Sequence, residues 1–504
     1  MGHKANRLDD VYESLLARRG SQGRLRRLTL PEPGLVDFSS NGYLSLATNP
    51  DIRSAYLSRL QSSGDGFSLG SGGSRLLDGN TTAAEALEAT VAAFHGAPAG
   101  LLFNSGFEAN TGLFGCAPQP GDVVVYDELI HASVHDGMRL GRARTVPFAH
   151  NCVRGEPESE TEPAATSPGG DGRSLDEVLA ALTRGDEGGG LRSGRASVFV
   201  VVEGVYSMDG DRTPLREIAD CVEARLPRGN GCIVVDEAHS TGWLGERGRG
   251  LVCHLGLEDR VWARVHTFGK AMGCAGGASP TRSHGTVPVS LQHNNPPNMT
   301  YTLADLTVST AIVLCSPATR AYLVNYARSL IYTTAMGFPL LASIQTAYAY
   351  LDSGRAAPHL AHLDALGRHA HRLLASLCAR RRPPPCVLRL GAGPPESPIV
   401  PLFTARARSL AQHCQRRGFM VRPIVAPTVP AGMDRVRLCL HAGNTVEEVQ
   451  GLCAAMEEWV CGRLAEAETE TETETQTQTQ TQTQTAAGAD PGHTGGSPRA
   501  PSKL

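Results

Sequence analysis

Short apolar runs that alternate with helical stretches constrain the fold of this 504-residue chain most strongly. The runs are rich in valine and are typical of strands buried on both faces; they are Leu101–Phe103, Val123–Tyr126, Val198–Val202 and Cys232–Val235. Stretches such as residues 85–94 place their apolar residues at helical spacing. This alternation predicts an α/β fold with a mainly parallel central sheet, and ligands bind such sheets at the carboxyl ends of the strands.

The same patterns divide the chain into segments. We assign residues 1–50 to an N-terminal arm and substrate-side segment, 51–335 to a large domain and 336–463 to a smaller C-terminal α/β domain. Residues 154–196 and 279–312 are predicted insertions, because they are polar or broken by Pro and Gly. Residues 279–312 are either a genuine surface loop or a gene-model error such as a retained intron. In neither case do we expect them in a working active site.

The C-terminal segment carries a candidate targeting signal. Residues 464–504 are predicted to be a disordered tail, since the Glu-Thr and Gln-Thr repeats at 468–485 have no apolar face. The tail ends in Ser502-Lys503-Leu504, which matches the peroxisomal import signal. We therefore expect a peroxisomal location and the peroxisomal import receptor as a partner, with a cytoplasmic location as the alternative.

Charge and cysteine content exclude several function classes. Lys and Arg total 47 against 50 Asp and Glu, so the chain lacks the basic excess of a nucleic-acid-binding protein. No apolar run approaches the length of a membrane span. The 13 cysteines form no C-x-x-C pair, so we expect no metal site and no disulfide framework.

Chemically useful side chains follow several of the predicted strands. Lys270 lies in the segment His-Thr-Phe-Gly-Lys-Ala and is a candidate nucleophile for covalent bonding to a carbonyl group. Asp236 ends a buried strand, and a carboxylate there can keep a pyridine nitrogen protonated, as pyridoxal phosphate (PLP) requires. His239 follows three residues later. A plain helix cap by Asp236 is the competing interpretation.

Three further strand ends contribute candidates. Residues 105–107 open a helix and offer backbone N–H groups to a phosphate. Glu203 and Ser207 end another strand, and His131 follows a third, where an imidazole can stack on a planar cofactor. We therefore expect these groups to converge at one edge of the sheet.

The order of these motifs resembles the α-oxoamine synthase family of fold-type-I PLP enzymes. The resemblance covers about residues 10–460 and rests on several independent segments: FSSNGYL (38–44), GSGGSRLLDGN (70–80), SGFEAN (105–110), HAS (131–133), EGVYSMDGD (203–211), DEAHSTG (236–242), TFGKA (267–271), NYARSLIYTT (325–334) and PTVPAGMDRVR (427–437). Within the family, the 70–80 segment resembles the fungal type of the 8-amino-7-oxononanoate synthase branch. The family normally passes from the lysine loop directly to the segment matched by Val313, so residues 279–312 depart from its pattern.

The resemblance implies roles for individual residues. Lys270 would bind PLP covalently and move the substrate Cα proton, Asp236 would hold the pyridine nitrogen, and His131 would stack on the ring. The other implied cofactor-binding residues are Ser105, Gly106, Phe107, Glu203, Ser207, His239, Thr267, Thr333 and Thr334. The implied substrate-binding residues are Arg26, Asn41, His131, Thr428 and Arg437.

The resemblance also implies a reaction and a partner. It predicts an acyltransferase that condenses L-alanine with pimeloyl-CoA, releasing CoA and CO2, in biotin biosynthesis. Thr333 and Thr334 resemble residues that reach the phosphate in the other subunit, so a homodimer with shared active sites is expected. The alternatives are a synthase that uses another acyl thioester, glycine or serine, and a non-catalytic partner subunit. Retention of Lys270, Asp236 and His239 argues against the non-catalytic alternative.

Overall fold

A central seven-stranded sheet dominates the computed structural model, which describes residues 7–22, 24–26, 28, 33–64, 67–155, 172–184, 188–274, 310–391, 393–426 and 428–487. The strands are β1 (Val36–Asp37), β2 (Ala99–Phe103), β3 (Val123–Asp127), β4 (Arg144–Phe148), β5 (Val198–Glu203), β6 (Gly231–Asp236), β7 (Ala263–Thr267), β8 (Ala311–Cys315), β9 (Arg389–Leu390), β10 (Ile399–Phe403), β11 (Phe419–Met420), β12 (Arg422–Ile424) and β13 (Arg435–Cys439).

Helices connect most of these strands. They are α1 (Arg7–Ser21), α2 (Pro50–Ser62), α3 (Thr82–Phe94), α4 (Gly106–Cys116), α5 (Ala132–Leu140), α6 (Leu175–Thr183), α7 (Gly189–Arg192), α8 (Leu215–Arg225), α9 (Leu251–Leu255), α10 (Pro317–Tyr326), α11 (Arg328–Ile331), α12 (Phe338–Asp352), α13 (Ala357–Arg381), α14 (Ala407–Arg416) and α15 (Val446–Ala487). Among the described residues, no helix combines the length and the hydropathy that a membrane span requires.

The large sheet has the order β2-β8-β7-β6-β5-β3-β4. Strands β4, β3, β5, β6 and β7 run parallel, whereas β8 is antiparallel to both of its neighbours. The predicted α/β fold with a mainly parallel central sheet is confirmed. The parallel strands therefore bring their carboxyl ends to one edge.

Alternate side chains of each central strand enter two different apolar cores. Val198, Val200 and Val202 pack into the larger core, which includes residues of α3, α6, α8 and α12. Phe199 and Val201 pack on the opposite face, against α4, α5 and α10. Each fully buried valine contributes about 1.5–3 kcal/mol relative to an exposed one. Burial on both faces explains why these strands are continuous apolar runs.

The small domain is built on an antiparallel sheet of order β12-β13-β10-β9. Helices α13 and α14 pack against α15, and β1 pairs in parallel with β11. After β1, the N-terminal segment leaves the small domain and reaches the large domain. Residues 38–48 therefore lie between the two domains. The sequence predicts helices over residues 359–381, 404–417 and 445–461, and α13, α14 and α15 confirm them. Extended chain is predicted over 386–403 and 435–441, where β9, β10 and β13 lie.

Three predicted boundaries are wrong in part. The sequence predicts a helix that begins after Ser174, with Glu177 completing a capping box, and α6 confirms it. The insertion assigned to 154–196 is nevertheless too wide, because α6 lies within it and buries an apolar face in the core. The insertion assigned to 279–312 overlaps β8 by two residues, because an apolar strand follows polar residues there without a turn signal. Residues 156–171 and 275–309 lie outside the described residues.

The third difference concerns the tail, which was predicted to be disordered from residue 464. Helix α15 continues through the Glu-Thr and Gln-Thr repeats to Ala487. Its first part is anchored by buried side chains, including Leu452, Met456 and Trp459. Extending an existing helix avoids the unfavourable nucleation step, so residues without an apolar face can still be helical there. Residues 488–504 lie outside the described part of the chain.

Candidate active site

The predicted site residues converge on a cavity of about 770 Å³ at the carboxyl edge of the large sheet. The cavity lies between strand ends of the large domain and the N-terminal segment, with residues 441–448 of the small domain on its other side. The predicted residues that line it are Asn41, Ser105, Gly106, Phe107, His131, Glu203, Asp236, His239, Thr267 and Lys270. One edge of the sheet therefore collects groups that are far apart in the chain.

Lys270 lies three residues after the end of β7. Its Nζ donates to Thr267 Oγ1 over 3.4 Å. Burial lowers the pKa of the ammonium group, while the nearby Asp236 and Glu203 carboxyls oppose that shift. A lysine with a lowered pKa is more readily present as the neutral amine, which is the nucleophilic form.

Asp236 and Glu203 are paired neighbours at the ends of β6 and β5. Asp236 accepts hydrogen bonds from the Ala238 N–H over 2.9 Å and from Asn110 Nδ2 over 2.8 Å. Burial raises the pKa of Glu203 well above its usual range, and the Asp236 charge raises it further. Burial at this position therefore favours the neutral acid form of Glu203.

His239 is buried at the same edge and contacts Tyr43. The His239 Nδ1 and the Tyr43 hydroxyl are 2.8 Å apart. Burial lowers the pKa of His239 well below its usual value, with Lys270 and Arg437 adding positive charge nearby. The imidazole is thus neutral and acts as a hydrogen-bonding group rather than as a cation.

The N-terminus of α4 forms a cradle for a phosphate. Ser105 caps the helix by accepting from the Glu108 N–H over 3.0 Å. A Cβ atom on Gly106 would lie 2.6 Å from Thr267 Cγ2, so only glycine lets the helix end approach β7 this closely. The free N–H groups of a helix N-terminus attract anions. Together with Lys270 and Asp236, this cradle fits PLP.

Arg437 lies on β13 beside the cavity and contacts the large domain. It donates to the Ser207 carbonyl over 2.9 Å and to Asn41 Oδ1 over 3.0 Å. Ser207 does not itself belong to the cavity lining, and its described link to the site is this main-chain contact. A guanidinium at this position can bind a carboxylate in two-point fashion.

Four other predicted residues lie elsewhere in this single chain. Thr333 and Thr334 line a smaller cavity, where the Thr334 carbonyl accepts from Asn104 Nδ2 over 2.8 Å. Arg26 and Thr428 are exposed and do not line the main cavity. The structure does not bring these four residues together with Lys270.

A charged network supports the loop that follows β5. His150 bridges Asp127 and Asp211, with contacts of 2.9 Å and 2.7 Å to its two ring nitrogens. The two carboxylates raise the pKa of His150 to about 10 although burial opposes this. Asp209, in the same loop, pairs with the buried Arg435 of β13. The loop is therefore held by ion pairs on both sides.

Sequence reasoning assigned no role to Tyr43, Asn110 or Ser133, which contact site residues directly. Asn110 is a polar residue on the buried side of α4, and this break in an otherwise apolar face was the available signal. Tyr43 gives no such signal, because its partner His239 is 196 residues away.

Comparisons with known proteins agree with this geometry. The family model for aminotransferase class I and II matches residues 33–456. The 8-amino-7-oxononanoate synthase of Emericella nidulans is 46% identical, over 91% of this chain and 98% of the relative. The aminoacyl transferase sphA of Aspergillus fumigatus is 34% identical, over 89% of this chain and 86% of the relative.

A solved structure supports the same assignment. Sphingomonas wittichii serine palmitoyltransferase matches with a TM-score of 0.68 and 25% identity, over 90% of this chain and 98% of that one. A solved serine palmitoyltransferase of S. paucimobilis has the same fold and contains bound PLP. The residues of the cavity fit the same cofactor, and the protein is a PLP-dependent acyltransferase. The chain belongs to the aminotransferase class I and II family, in its α-oxoamine synthase branch.

Proposed function

We propose that the protein condenses L-alanine with pimeloyl-CoA and releases CoA and CO2, which forms 8-amino-7-oxononanoate in biotin biosynthesis. The observation that carries this proposal is the 46% identity to an 8-amino-7-oxononanoate synthase over nearly its whole length. The cavity that holds Lys270, Asp236 and His131 supports the chemistry.

Lys270, Asp236 and Arg437 have separate roles in this reaction. When bound, PLP supplies an electron sink for the charge that develops at the amino-acid Cα. Lys270 Nζ takes up the Cα proton, because burial favours its neutral form. Asp236 holds a proton at the ring nitrogen through its negative charge. Arg437, already oriented by Asn41, binds the alanine carboxylate.

A different acyl substrate is the second candidate. The resemblance to aminoacyl transferase sphA and to serine palmitoyltransferase favours a longer acyl chain or serine as the amino acid. The catalytic residues named above would serve either reaction, since they act at the amino-acid carbon and not on the acyl chain.

A substrate matrix separates the two candidates. We would assay alanine, glycine and serine against pimeloyl-CoA and palmitoyl-CoA and follow CoA release. Our proposal expects the alanine and pimeloyl-CoA pair to give the highest kcat/KM. The Lys270→Ala variant is the blank and should lack the visible absorbance of lysine-bound PLP. A wide preference for serine or palmitoyl-CoA would reject the proposal.

We further propose that the enzyme is a homodimer with shared active sites. Leu69, Leu77 and Tyr332 expose 81%, 76% and 72% of their surface, and we call these three residues the apolar patch. Backbone contacts place the patch beside the cavity of Thr333 and Thr334: Ser74 pairs with Thr334, and Gly337 lies against Leu69. A second copy would cover this surface.

We also propose a peroxisomal location, based on the terminal Ser502-Lys503-Leu504. An acyl-CoA substrate is compatible with that organelle, where fatty acyl chains are shortened. Fusing residues 490–504 to a fluorescent protein tests the address. Punctate peroxisomal signal that disappears without Ser502–Leu504 supports it, and diffuse signal from both fusions rejects it.

A further inference from the structure

Asn110 is a buried amide on α4, within the wall of the main cavity. It is 2% exposed, and its neighbours Ala109 and Leu113 are fully buried apolar residues. Burying an amide costs about 1–3 kcal/mol unless hydrogen bonds compensate for the lost water. The residue therefore needs partners, and both lie at the site.

The amide orientation follows from those partners. Asn110 Nδ2 lies 2.8 Å from Asp236 Oδ2 and 2.9 Å from Ser133 Oγ. An ionised carboxylate only accepts hydrogen bonds, so the NH2 group must face Asp236. The Ala238 N–H holds the other carboxylate oxygen over 2.9 Å. Both oxygens of Asp236 are thus fixed by donors.

The same chain of contacts determines the state of His131. The Ser133 N–H lies 3.2 Å from His131 Nδ1, and a backbone N–H can only donate. The Nδ1 atom therefore carries a lone pair, and the proton of the neutral ring is on Nε2. Ser133 Oγ accepts from Asn110 and has its own hydrogen available for Nδ1, 2.7 Å away.

One polar atom of this arrangement has no partner. Among the described residues, no group bonds to the buried Asn110 Oδ1. The amide nevertheless remains in place because its two donors are engaged. We propose that Asn110 is a positioning residue: it orients the Asp236 carboxylate directly and, by donating to Ser133 Oγ, directs the hydroxyl hydrogen of Ser133 towards His131 Nδ1. This inference rests on the PLP site and not on the choice of acyl substrate.

The inference predicts different PLP affinities for the Asn110→Ala and Ser133→Ala variants. Asn110→Ala removes a donor from Asp236 and from Ser133, whereas Ser133→Ala breaks only the branch to His131. We expect Asn110→Ala to weaken PLP binding by about tenfold, since a hydrogen bond to a charged group is lost. Ser133→Ala should bind PLP within about twofold of the parent, because the Asp236 contact survives.

The hydrogen bonding of His131 Nδ1 is the second readout. Nitrogen NMR of ¹⁵N-histidine-labelled holoenzyme reports which ring nitrogen is protonated, and His131→Gln identifies the signal among the 17 histidines. The backbone N–H of residue 133 remains in Asn110→Ala and in Ser133→Ala, so the proton should stay on Nε2 in both. The Nδ1 resonance should shift in both, because Ser133→Ala removes the hydroxyl that contacts Nδ1 and Asn110→Ala removes the donor that orients this hydroxyl. Thr111→Ala, at the next position of α4, is the matched control and should change neither readout. Asn110→Asp keeps the side-chain volume if Asn110→Ala fails to fold, and should weaken PLP binding more strongly.

Two results would overturn the inference. One is a PLP affinity equal to that of the parent in both Asn110 variants, and the other is a His131 Nδ1 resonance that does not move in Asn110→Ala. These readouts need no acyl substrate. A failure of the proposed reaction, seen as no CoA release from pimeloyl-CoA, would therefore leave them unaffected and can be distinguished.

Discussion

His150 holds two segments of the chain together next to the active site. Its ring contacts Asp127 after β3 and Asp211 after β5, and its edge meets the Tyr206 ring at a centroid distance of 4.5 Å. A half-buried histidine between two carboxylates is stabilised as the cation. The loop carrying Ser207, and hence the Arg437 contact, therefore depends on a charge outside the cavity.

This charge makes stability depend on pH in a specific direction. The pKa of His150 is raised to about 10 in the folded protein from about 6.5 in the unfolded chain. Its contribution is fully present below the unfolded value and is lost as pH rises through the folded value. His150→Gln should cost about 3–5 kcal/mol near neutral pH, because two carboxylates lose their partner.

Urea unfolding at neutral pH and near pH 10 checks this prediction. The stability gap between parent and variant should shrink at the higher pH. The exposed His254 provides the control, since His254→Gln should leave stability unchanged at both pH values. A His150→Gln gap that stays constant with pH would show that the histidine is not held as a cation.

At the scale of elements, the approach of α4 to β7 builds the phosphate cradle. Gly106 has no Cβ to collide with Thr267, whose Oγ1 contacts Lys270. Gly106→Ala should displace Thr267 and lower PLP affinity by about tenfold or more. Gly115→Ala in the same helix adds a Cβ at an ordinary 3.5 Å from Leu140 and should leave PLP affinity unchanged. Fluorescence titration of both apoproteins with PLP makes the comparison, and equal affinities would contradict it.

The residues that flank positions 275–309 both form backbone hydrogen bonds with Phe268. The Cys274 N–H donates to the Phe268 carbonyl, and the Phe268 N–H donates to the Thr310 carbonyl, each over 2.9 Å. The two ends are therefore close together, and β7 and β8 are already antiparallel neighbours. A short connection is enough to join them.

Deleting residues 279–309 should consequently leave the fold and the activity intact. Residues 275–278 (Ala-Gly-Gly-Ala) would then link Cys274 to Thr310, a loop length common between antiparallel strands. The visible absorbance of bound PLP and the kcat of CoA release measure the result. A deletion that starts at the same residue but extends through Ile312 is the control, because it removes part of β8. Lower activity in the shorter deletion would show that the segment serves the site.

Local patterns were sufficient for much of this architecture. Four strands of the large sheet (β2, β3, β5 and β6) and the groups at strand ends, such as Lys270 and Asp236, were predictable because apolar runs and strand ends are local features. Contacts between segments that are distant in the sequence could not be predicted in this way. Tyr43 reaches His239 only through the N-terminal crossing. The α6 helix was predictable from its capping box, but its packing against the core was not, because the segments on either side of it are polar.

At the scale of the whole molecule, a single chain leaves part of the predicted site unassembled. Thr333 and Thr334 face a different cavity from Lys270, and the apolar patch beside them is exposed. Mixing two inactive variants tests whether subunits share sites. A heterodimer of Lys270→Ala with the double variant Thr333→Ala/Thr334→Ala would contain one intact site, so a mixture should regain about a quarter of parent activity.

The control mixture is Lys270→Ala with Asp236→Ala. Lys270 and Asp236 line the same cavity of one chain, so no heterodimer of these two variants contains an intact site. Sedimentation would report the dimer independently. Activity of the first mixture equal to the sum of its components, or a fully active monomer, would reject shared sites.

The length of helix α15 should increase the frictional ratio of the protein. Its 42 residues span about 63 Å at 1.5 Å per residue, whereas a compact body of this size has a radius of gyration of about 23 Å. The repeats at 468–485 contain no apolar side chain that could hold the helix against that body. A rod attached to a globule experiences more drag than its mass suggests. Truncation after Leu464 should lower the frictional ratio in sedimentation while leaving the thermal unfolding midpoint unchanged, and an unaltered frictional ratio would mean that the helix lies along the surface.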